Sequence, residues 1–110
     1  AIEAYDYSIA LNPDYASAYF NKAFALASLE RYHEAMRWYD ETILSGQDAS
    51  YYYAANAALK AGNICEMQGR LELAGQYYRK CIKMPNREYR RSMQQKAKAG
   101  LNRIRDKQKD

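Results

Sequence analysis

Apolar and small side chains recur every three to four positions along most of this chain, with polar side chains between them. This spacing places apolar residues on one side of an α-helix and does not match the strict alternation of a strand. The pattern predicts six helices, at residues 1–11, 15–29, 32–45, about 49–67, about 70–84 and about 88–106.

The apolar faces predict which side chains turn inward. In the first three helices these are Ile2, Tyr5 and Ile9, then Tyr19, Phe20, Ala23, Phe24, Leu26 and Ala27, then Tyr32, Ala35, Trp38, Tyr39 and Ile43. In the last three they are Ala58, Leu59, Gly62, Cys65 and Met67, then Leu71, Ala74, Tyr78, Cys81 and Ile82, then Tyr89, Met93, Ala97, Leu101 and Ile104.

The breaks between the helices have their own residue chemistry. Asp14 and Asp48 each precede a predicted helix, where a carboxylate can accept hydrogen bonds from the first free backbone N–H groups. Gly46 can take the left-handed conformation that ends a helix. Glu30 and Arg31 are predicted to form a tight turn between two helices.

One helix of this chain is present in three related copies. Residues 1–9 align without a gap with residues 35–43, at an offset of 34 residues, and residues 74–82 align with the same segment 39 residues further on. A repeat of this length is typical of stacked helical hairpins, in which each hairpin buries its apolar side against the next. The sequence therefore predicts an all-α fold.

The motif of these copies resembles the tetratricopeptide repeat. Between Ala16 and Leu44 the matching residues are Tyr19, Ala23, Leu26, Ala35 and Tyr39; between Ala55 and Pro85 they are Gly62, Cys65, Gly69, Ala74, Tyr78 and Cys81; the opening half-repeat supplies Ala1, Tyr5, Ser8 and Pro13. Departures include Glu30 in place of the helix-closing glycine, Lys22 in place of leucine, Thr42 in place of alanine and Ala58 in place of a large aromatic.

The resemblance implies a right-handed α–α superhelix, a solenoid of antiparallel helix pairs, as one domain over residues 1–110. Residues 1–13 would be the second helix of a truncated repeat, 14–47 a full repeat, 48–85 a full repeat with a short insertion, and 86–110 a basic capping helix. A polar-backed helix of this kind shields the last apolar face of a solenoid from water. We expect the chain to be the end of a longer helical array.

The resemblance also implies a function, because this family holds a peptide or a partner's helix in a concave groove lined mainly by the first helix of each repeat. By resemblance the groove residues are Ser17, Phe20, Asn21, Phe24, Ser28, Asn56, Leu59, Lys60, Asn63 and Met67. For Phe20, Phe24 and Leu59 a second interpretation is packing between neighbouring helices. Some members clamp a terminal carboxylate with Lys, Asn and Arg, but here Phe20 and Phe24 stand where polar contacts would be needed.

Charge suggests a second class of partner. Residues 86–110 hold nine basic and three acidic side chains, whereas residues 1–85 hold eight basic and ten acidic ones. Clustered cations can contact phosphates or an acidic protein, and the candidates are Arg87, Arg90, Arg91, Lys96, Lys98, Arg103, Arg105, Lys107 and Lys109. A solvated capping helix accounts for the same residues. Self-association through residues 1–11 is a third possibility, because Ile2, Tyr5 and Ile9 lack a partner helix.

Catalytic chemistry finds little support in the sequence. His33 is the only histidine and stands at a polar helix start. Cys65 and Cys81 are predicted to be free buried thiols, which favours a reducing compartment such as the cytoplasm. Glu66, Glu72, Asp40 and Glu41 follow no pattern that would bury or pair them. We therefore expect no enzyme, no cofactor, no metal, no small-molecule substrate and no membrane span.

Overall fold

The computed structural model describes residues 16–45, 52–84 and 90–109. These residues form five helices: α1 (Ala16–Ser28), α2 (Tyr32–Ser45), α3 (Tyr52–Met67), α4 (Leu71–Lys83) and α5 (Arg90–Gln108). Within the described ranges there is no strand, and each helix lies within a few residues of its predicted range. The predicted helix at 1–11 and the predicted roles of Asp14, Gly46 and Asp48 lie outside the described residues.

The helices are arranged as two hairpins and a closing helix. Three residues connect α1 to α2 and three connect α3 to α4, so the two members of each pair run antiparallel. Helix α3 packs against both α2 and α1, and α5 packs against both α4 and α3. Helix α5 therefore packs on the second hairpin in the same way as α3 packs on the first. This stacking confirms the all-α solenoid expected from the sequence.

Small side chains lie where the helices approach each other. Ala23, Ala35 and Ala74 are completely buried, and Gly62 is also buried. Without large side chains at these positions the two backbones of a hairpin can come close, and larger residues fill the space around them. This confirms the inward orientation that the repeat pattern predicts for all four residues.

On helices that pack against two neighbours, the buried face is wider than the single row of apolar residues that the pattern predicts. Tyr77 is 7% exposed, although the apolar pattern places its neighbour Tyr78, and not Tyr77, on the inward face of that helix. The hydroxyl of Tyr77 donates a hydrogen bond of 2.6 Å to Oδ1 of Asp40 on α2. Conversely, Phe24 and Met67 belong to the apolar pattern but are 49% and 60% exposed. Both therefore differ from the predicted burial.

The ring of Tyr78 lies between two glycines on different helices. A Cβ atom at Gly62 of α3 would lie 2.6 Å from Cε1 of that ring, and one at Gly100 of α5 would lie 2.6 Å from its Cζ. Real Cβ atoms do not approach an aromatic ring so closely, so both positions need glycine for this arrangement. The sequence pattern identified Gly62 but not Gly100.

The two hairpin turns share one geometry although their residues differ. Glu30 has a φ of 60° and Gly69 a φ of 77°. Glu30 N–H donates to Ala27 O and Arg31 N–H to Leu26 O, and residues 69 and 70 repeat both bonds with Glu66 and Cys65. This is the Schellman arrangement, which satisfies the last carbonyls of a helix. Glu30 therefore carries left-handed strain that glycine at position 69 avoids.

We expect Gly62→Ala and Gly100→Ala each to lower the free energy of unfolding by roughly 1–3 kcal/mol, because the added methyl group must displace the Tyr78 ring. Chemical denaturation monitored by circular dichroism measures the change. The matched control is Gly75→Ala on α4, where the new Cβ would meet only the Arg79 guanidinium, at 3.3 Å. The Arg79 guanidinium is flexible and can move away. Gly75→Ala should therefore raise the free energy of unfolding by up to about 1 kcal/mol, because alanine has the higher helix propensity. An equal loss of stability in all three variants would contradict the placement of the Tyr78 ring between Gly62 and Gly100.

Glu30→Gly should stabilise the protein by about 0.5–1 kcal/mol. It removes the left-handed strain of a residue with a Cβ, and glycine's greater freedom in the unfolded chain offsets part of that gain. Gly69→Ala in the equivalent turn should destabilise by about 1 kcal/mol. Thermal unfolding of both variants tests the pair. A stabilised Gly69→Ala variant would show that the turn conformation is not what limits stability here.

Candidate functional site

Helices α1, α3 and α5 share one surface, which we name the first-helix surface. The Lys60 ammonium of α3 lies 5.9 Å from the ring centroid of Phe24 on α1. On the other side of α3, Arg103 of α5 reaches Glu66 with a distance of 2.8 Å between Nε and Oε2. Side chains thus connect the three helices in the order α1, α3, α5, and the candidate groove residues all belong to the first two of them.

The ten candidate groove residues differ in exposure. Asn21, Phe24, Ser28, Asn63 and Met67 are exposed, while Ser17, Asn56 and Lys60 are partly buried. Phe20 and Leu59 are only 8% and 4% exposed and lie in the core. The ring of Phe20 contacts those of Tyr39 and Tyr53, each with 5.8 Å between centroids. Burial of these two side chains therefore favours packing between helices over contact with a partner.

Two of the polar candidates have hydrogen bonds within the protein. The Ser28 hydroxyl donates to the backbone oxygen of Phe24 at 3.0 Å, in its own helix. Oδ1 of Asn63 lies 2.8 Å from the Tyr78 hydroxyl oxygen and shares its single proton with Glu66. The amide nitrogen of Asn63 still carries two donors by its chemistry, so its side chain can serve both the fold and a partner.

Glu66 is the centre of a charged cluster that sequence analysis missed. Arg103 binds its carboxylate with two nitrogens, Nε at 2.8 Å from Oε2 and Nη2 at 2.9 Å from Oε1. The Tyr78 hydroxyl donates to Oε1 at 2.7 Å, and Lys107 Nζ lies 3.5 Å from Oε2. No pattern in the sequence indicates these partners of Glu66. Its partners are 12 to 41 residues away in sequence, beyond the range of any local pattern.

The cluster changes the acidity of its members. Hydrogen bonds, first from Arg103 and then from the Tyr78 hydroxyl, lower the pKa of Glu66 to about 2 against the opposing effect of burial. The pKa of Tyr78 is raised, first by burial of its ring and then by its bond to Glu66. Glu66 is therefore ionised, and Tyr78 is a neutral donor, at ordinary pH.

The basic candidates on α5 fall into two groups. Within the part of the helix whose side chains are described, Arg91, Lys96, Lys98 and Arg105 are exposed. Arg103 is instead bound to Glu66. Arg87 lies outside the described residues, as does the side chain of Arg90. Three of the predicted basic residues therefore have an acidic side chain of the protein itself nearby: Arg103 and Lys107 pair with Glu66, at 2.8 and 3.5 Å, and Arg105 lies 3.9 Å from Asp106.

Two open depressions lie on other parts of the molecule. One of about 510 Å³ lies between α2 and α4, where Asp40 accepts the hydrogen bond from Tyr77. The other, of about 520 Å³, lies between α4 and α5 and is lined in part by Leu71, Gly75 and Leu101. None of the candidate groove residues lines either depression.

The cysteines and the described histidine lie in environments that do not activate them. Cys65 and Cys81 are free and buried, as predicted. Burial raises the pKa of both thiols, that of Cys81 to about 11. His33 is exposed. Among the described residues no group of His, Cys, Asp or Glu side chains is placed to hold a metal ion, and none of the described helices is long and apolar enough to cross a membrane.

Comparison with known families gives the same division of the chain as its geometry. The model of the tetratricopeptide repeat matches residues 16–43 and 55–87, which together make up more than half of the chain. The chain belongs to the tetratricopeptide repeat family. The first match covers the hairpin of α1 and α2, and the second covers the hairpin of α3 and α4. A search among curated proteins finds no match.

Membership gives a general function. Tetratricopeptide repeats are generally protein–protein interaction modules, and the family is typically a non-catalytic scaffold. The implied partners of this chain are therefore proteins. The architecture agrees with that role, since hairpins stacked side by side present an extended surface rather than an enclosed pocket.

The Glu66 cluster predicts a pH dependence of stability. The pKa of Glu66 is lowered from 4.5 to about 2 by folding. The contribution of the ionised carboxylate to the free energy of unfolding is therefore complete above pH 4.5 and is lost as the pH falls towards 2. We expect a loss of roughly 2–3 kcal/mol over that interval. Urea denaturation at several pH values should show a steeper dependence for the natural protein than for Glu66→Gln. The control Glu72→Gln, at an exposed acid, should keep the natural slope, and a flattened slope in that control would contradict the assignment.

Proposed function

We propose that the chain holds a peptide or a helix of a partner protein on its first-helix surface. The main support is Phe24, a large aromatic side chain of α1 that is 49% exposed and lies beside Lys60 of α3. Solvent exposure of a phenyl ring is unfavourable, and covering it with a partner's apolar side chain would contribute to binding in proportion to the area removed from water. Phe24 would thus be the main apolar contact.

Neighbouring side chains add contacts of other kinds. Lys60 lies over one face of the Phe24 ring, 5.9 Å from its centroid, which places a donor beside the apolar contact. Asn21 and Asn63 are exposed nearby and can hydrogen-bond a partner's backbone. Met67 is 60% exposed at the end of α3, and its flexible thioether can adapt to different side chains. This mixture suits an amphipathic segment of a partner protein.

In this proposal α5 acts as a cap and as the third wall of the binding surface. It packs on α3 and α4 in the place that the first helix of another repeat would take. Its apolar residues Met93, Ala97 and Ile104 are buried on that side. The bidentate bond from Arg103 to Glu66 fixes α5 in orientation as well as distance.

Phage display with the intact chain as bait tests the proposal, since it supplies peptides without a prior choice of partner. Peptides selected on the natural chain are synthesised, and their affinity is measured by fluorescence anisotropy. We expect Phe24→Ala to weaken binding about tenfold, which corresponds to about 1.4 kcal/mol. Met67→Ala should weaken it less.

Leu44→Ala is the matched control. Leu44 is 71% exposed, but it lies on α2, outside the first-helix surface. Its removal deletes a comparable apolar side chain and should leave peptide affinity unchanged. If Leu44→Ala weakens binding as much as Phe24→Ala does, or if Phe24→Ala has no effect while its circular dichroism spectrum is natural, the proposed surface is wrong.

A further inference from the structure

Charge is distributed unequally between the two sides of the solenoid. Helices α1, α3 and α5 hold nine basic residues and only two acidic ones, Glu66 and Asp106. Helices α2 and α4 hold four basic and four acidic residues. The helices that form the first-helix surface are thus basic, whereas the second helices are balanced.

Part of this basic charge faces α3. Arg103 and Lys107 of α5 both reach Glu66, which identifies the side of α5 that borders the first-helix surface. Lys96 precedes Arg103 by seven residues, a separation that returns an α-helix to within about 20° of the same direction. Lys96 is exposed and therefore lies on the same stripe, roughly 10 Å from Arg103 along the helix axis.

The only acidic residue of α1, α3 and α5 at this border is already engaged. Glu66 binds Arg103 with two hydrogen bonds and attracts Lys107, so one carboxylate is shared by two cations. Lys60 and Lys96 add further positive charge on either side. Among the described residues, the four cations Lys60, Lys96, Arg103 and Lys107 therefore outnumber the single carboxylate of Glu66, and this excess of positive charge favours acidic partners.

We infer that the partner segment bound by this protein is an acidic peptide that carries one apolar side chain. The inference rests on the proposed function and specifies its ligand. The apolar side chain covers Phe24, and side-chain carboxylates meet Lys60 and the Lys96 stripe. Phe24 and Lys96 lie on α1 and α5, which are separated by α3. Neighbouring helices lie roughly 10 Å apart, so a carboxylate that meets Lys96 should stand about six residues from the apolar side chain in an extended peptide.

An acidic peptide fits these observations better than a nucleic acid does. Binding of single-stranded nucleic acid relies on aromatic rings on which successive bases stack. Among the large apolar side chains that are exposed in the described part of the chain, only Phe24 has a ring.

The test uses random peptides of about ten residues, which span roughly 33 Å when extended, displayed on phage through their C-termini. This attachment removes the free terminal carboxylate, so any acidic preference must come from side chains. We expect the peptides selected on the intact chain to be rich in Asp and Glu, with an acidic residue about six positions from an apolar one. Their affinity should fall several-fold between about 50 mM and about 200 mM NaCl, as ion pairs at a surface do.

Two lysines of one helix provide the decisive comparison. Lys96→Gln should weaken the binding of a selected peptide about threefold, the effect expected for one exposed ion pair. Lys98→Gln removes the same charge from α5, but residue 98 lies about 200° around the helix from residue 96. That control should leave affinity unchanged. Both side chains are exposed, so neither substitution should disturb the fold.

The outcomes separate this inference from the proposed function. Neutral or basic peptides whose binding depends on Phe24 but not on salt would overturn the acidic ligand and leave the surface in place. Binding that Lys96→Gln and Lys98→Gln weaken equally, with no effect of Phe24→Ala, would overturn both, as would failure to select any peptide. Tighter binding of a decameric oligouridine than of the selected peptides would assign the basic side to nucleic acid.

Discussion

The aromatic ring of Tyr78 holds the second half of this protein together. It occupies the space left by Gly62 on α3 and Gly100 on α5, where a Cβ atom would approach the ring to 2.6 Å. The side chain belongs to α4, so a single ring contacts three helices. Its hydroxyl oxygen lies between Asn63 and Glu66, 2.8 Å from Oδ1 of the first and 2.7 Å from Oε1 of the second, and its one proton is divided between these two acceptors. Shape fixes the ring, and the hydroxyl fixes the polar groups around it.

The charged cluster at Glu66 depends on that arrangement and extends it to the surface. Tyr78 and Arg103 orient one carboxylate, which is 11% exposed. A pair of charges so placed is worth more than one in open solvent, because less water screens it. Packing of a buried ring is thereby connected to the position of the cations beside α3. The proposed binding surface and the packing of the closing helix consequently share the same residues.

The sequence alone predicted most of the fold and part of the candidate site. The period of about 34 to 39 residues and the spacing of apolar residues predicted the hairpins, and the family match confirmed them. Phe24, Lys60 and Asn63 were identified by their place in the repeat. The pattern could not distinguish exposed Phe24 from buried Phe20, because both lie within one broad apolar band and only the position of Tyr39 and Tyr53 separates them.

Local sequence determined which residues form helices, where the described turns fall and which small residues lie at the helix contacts, because these properties depend on neighbours within a few positions. Tertiary structure alone decided the partners of Glu66, the bond between Tyr77 and Asp40, and the requirement for glycine at position 100. Each of these depends on residues that are distant in the chain and meet only when α4 and α5 have packed against their neighbours. A periodic pattern predicts which face of a helix is buried, but it does not predict which atoms of the neighbouring helix that face contacts.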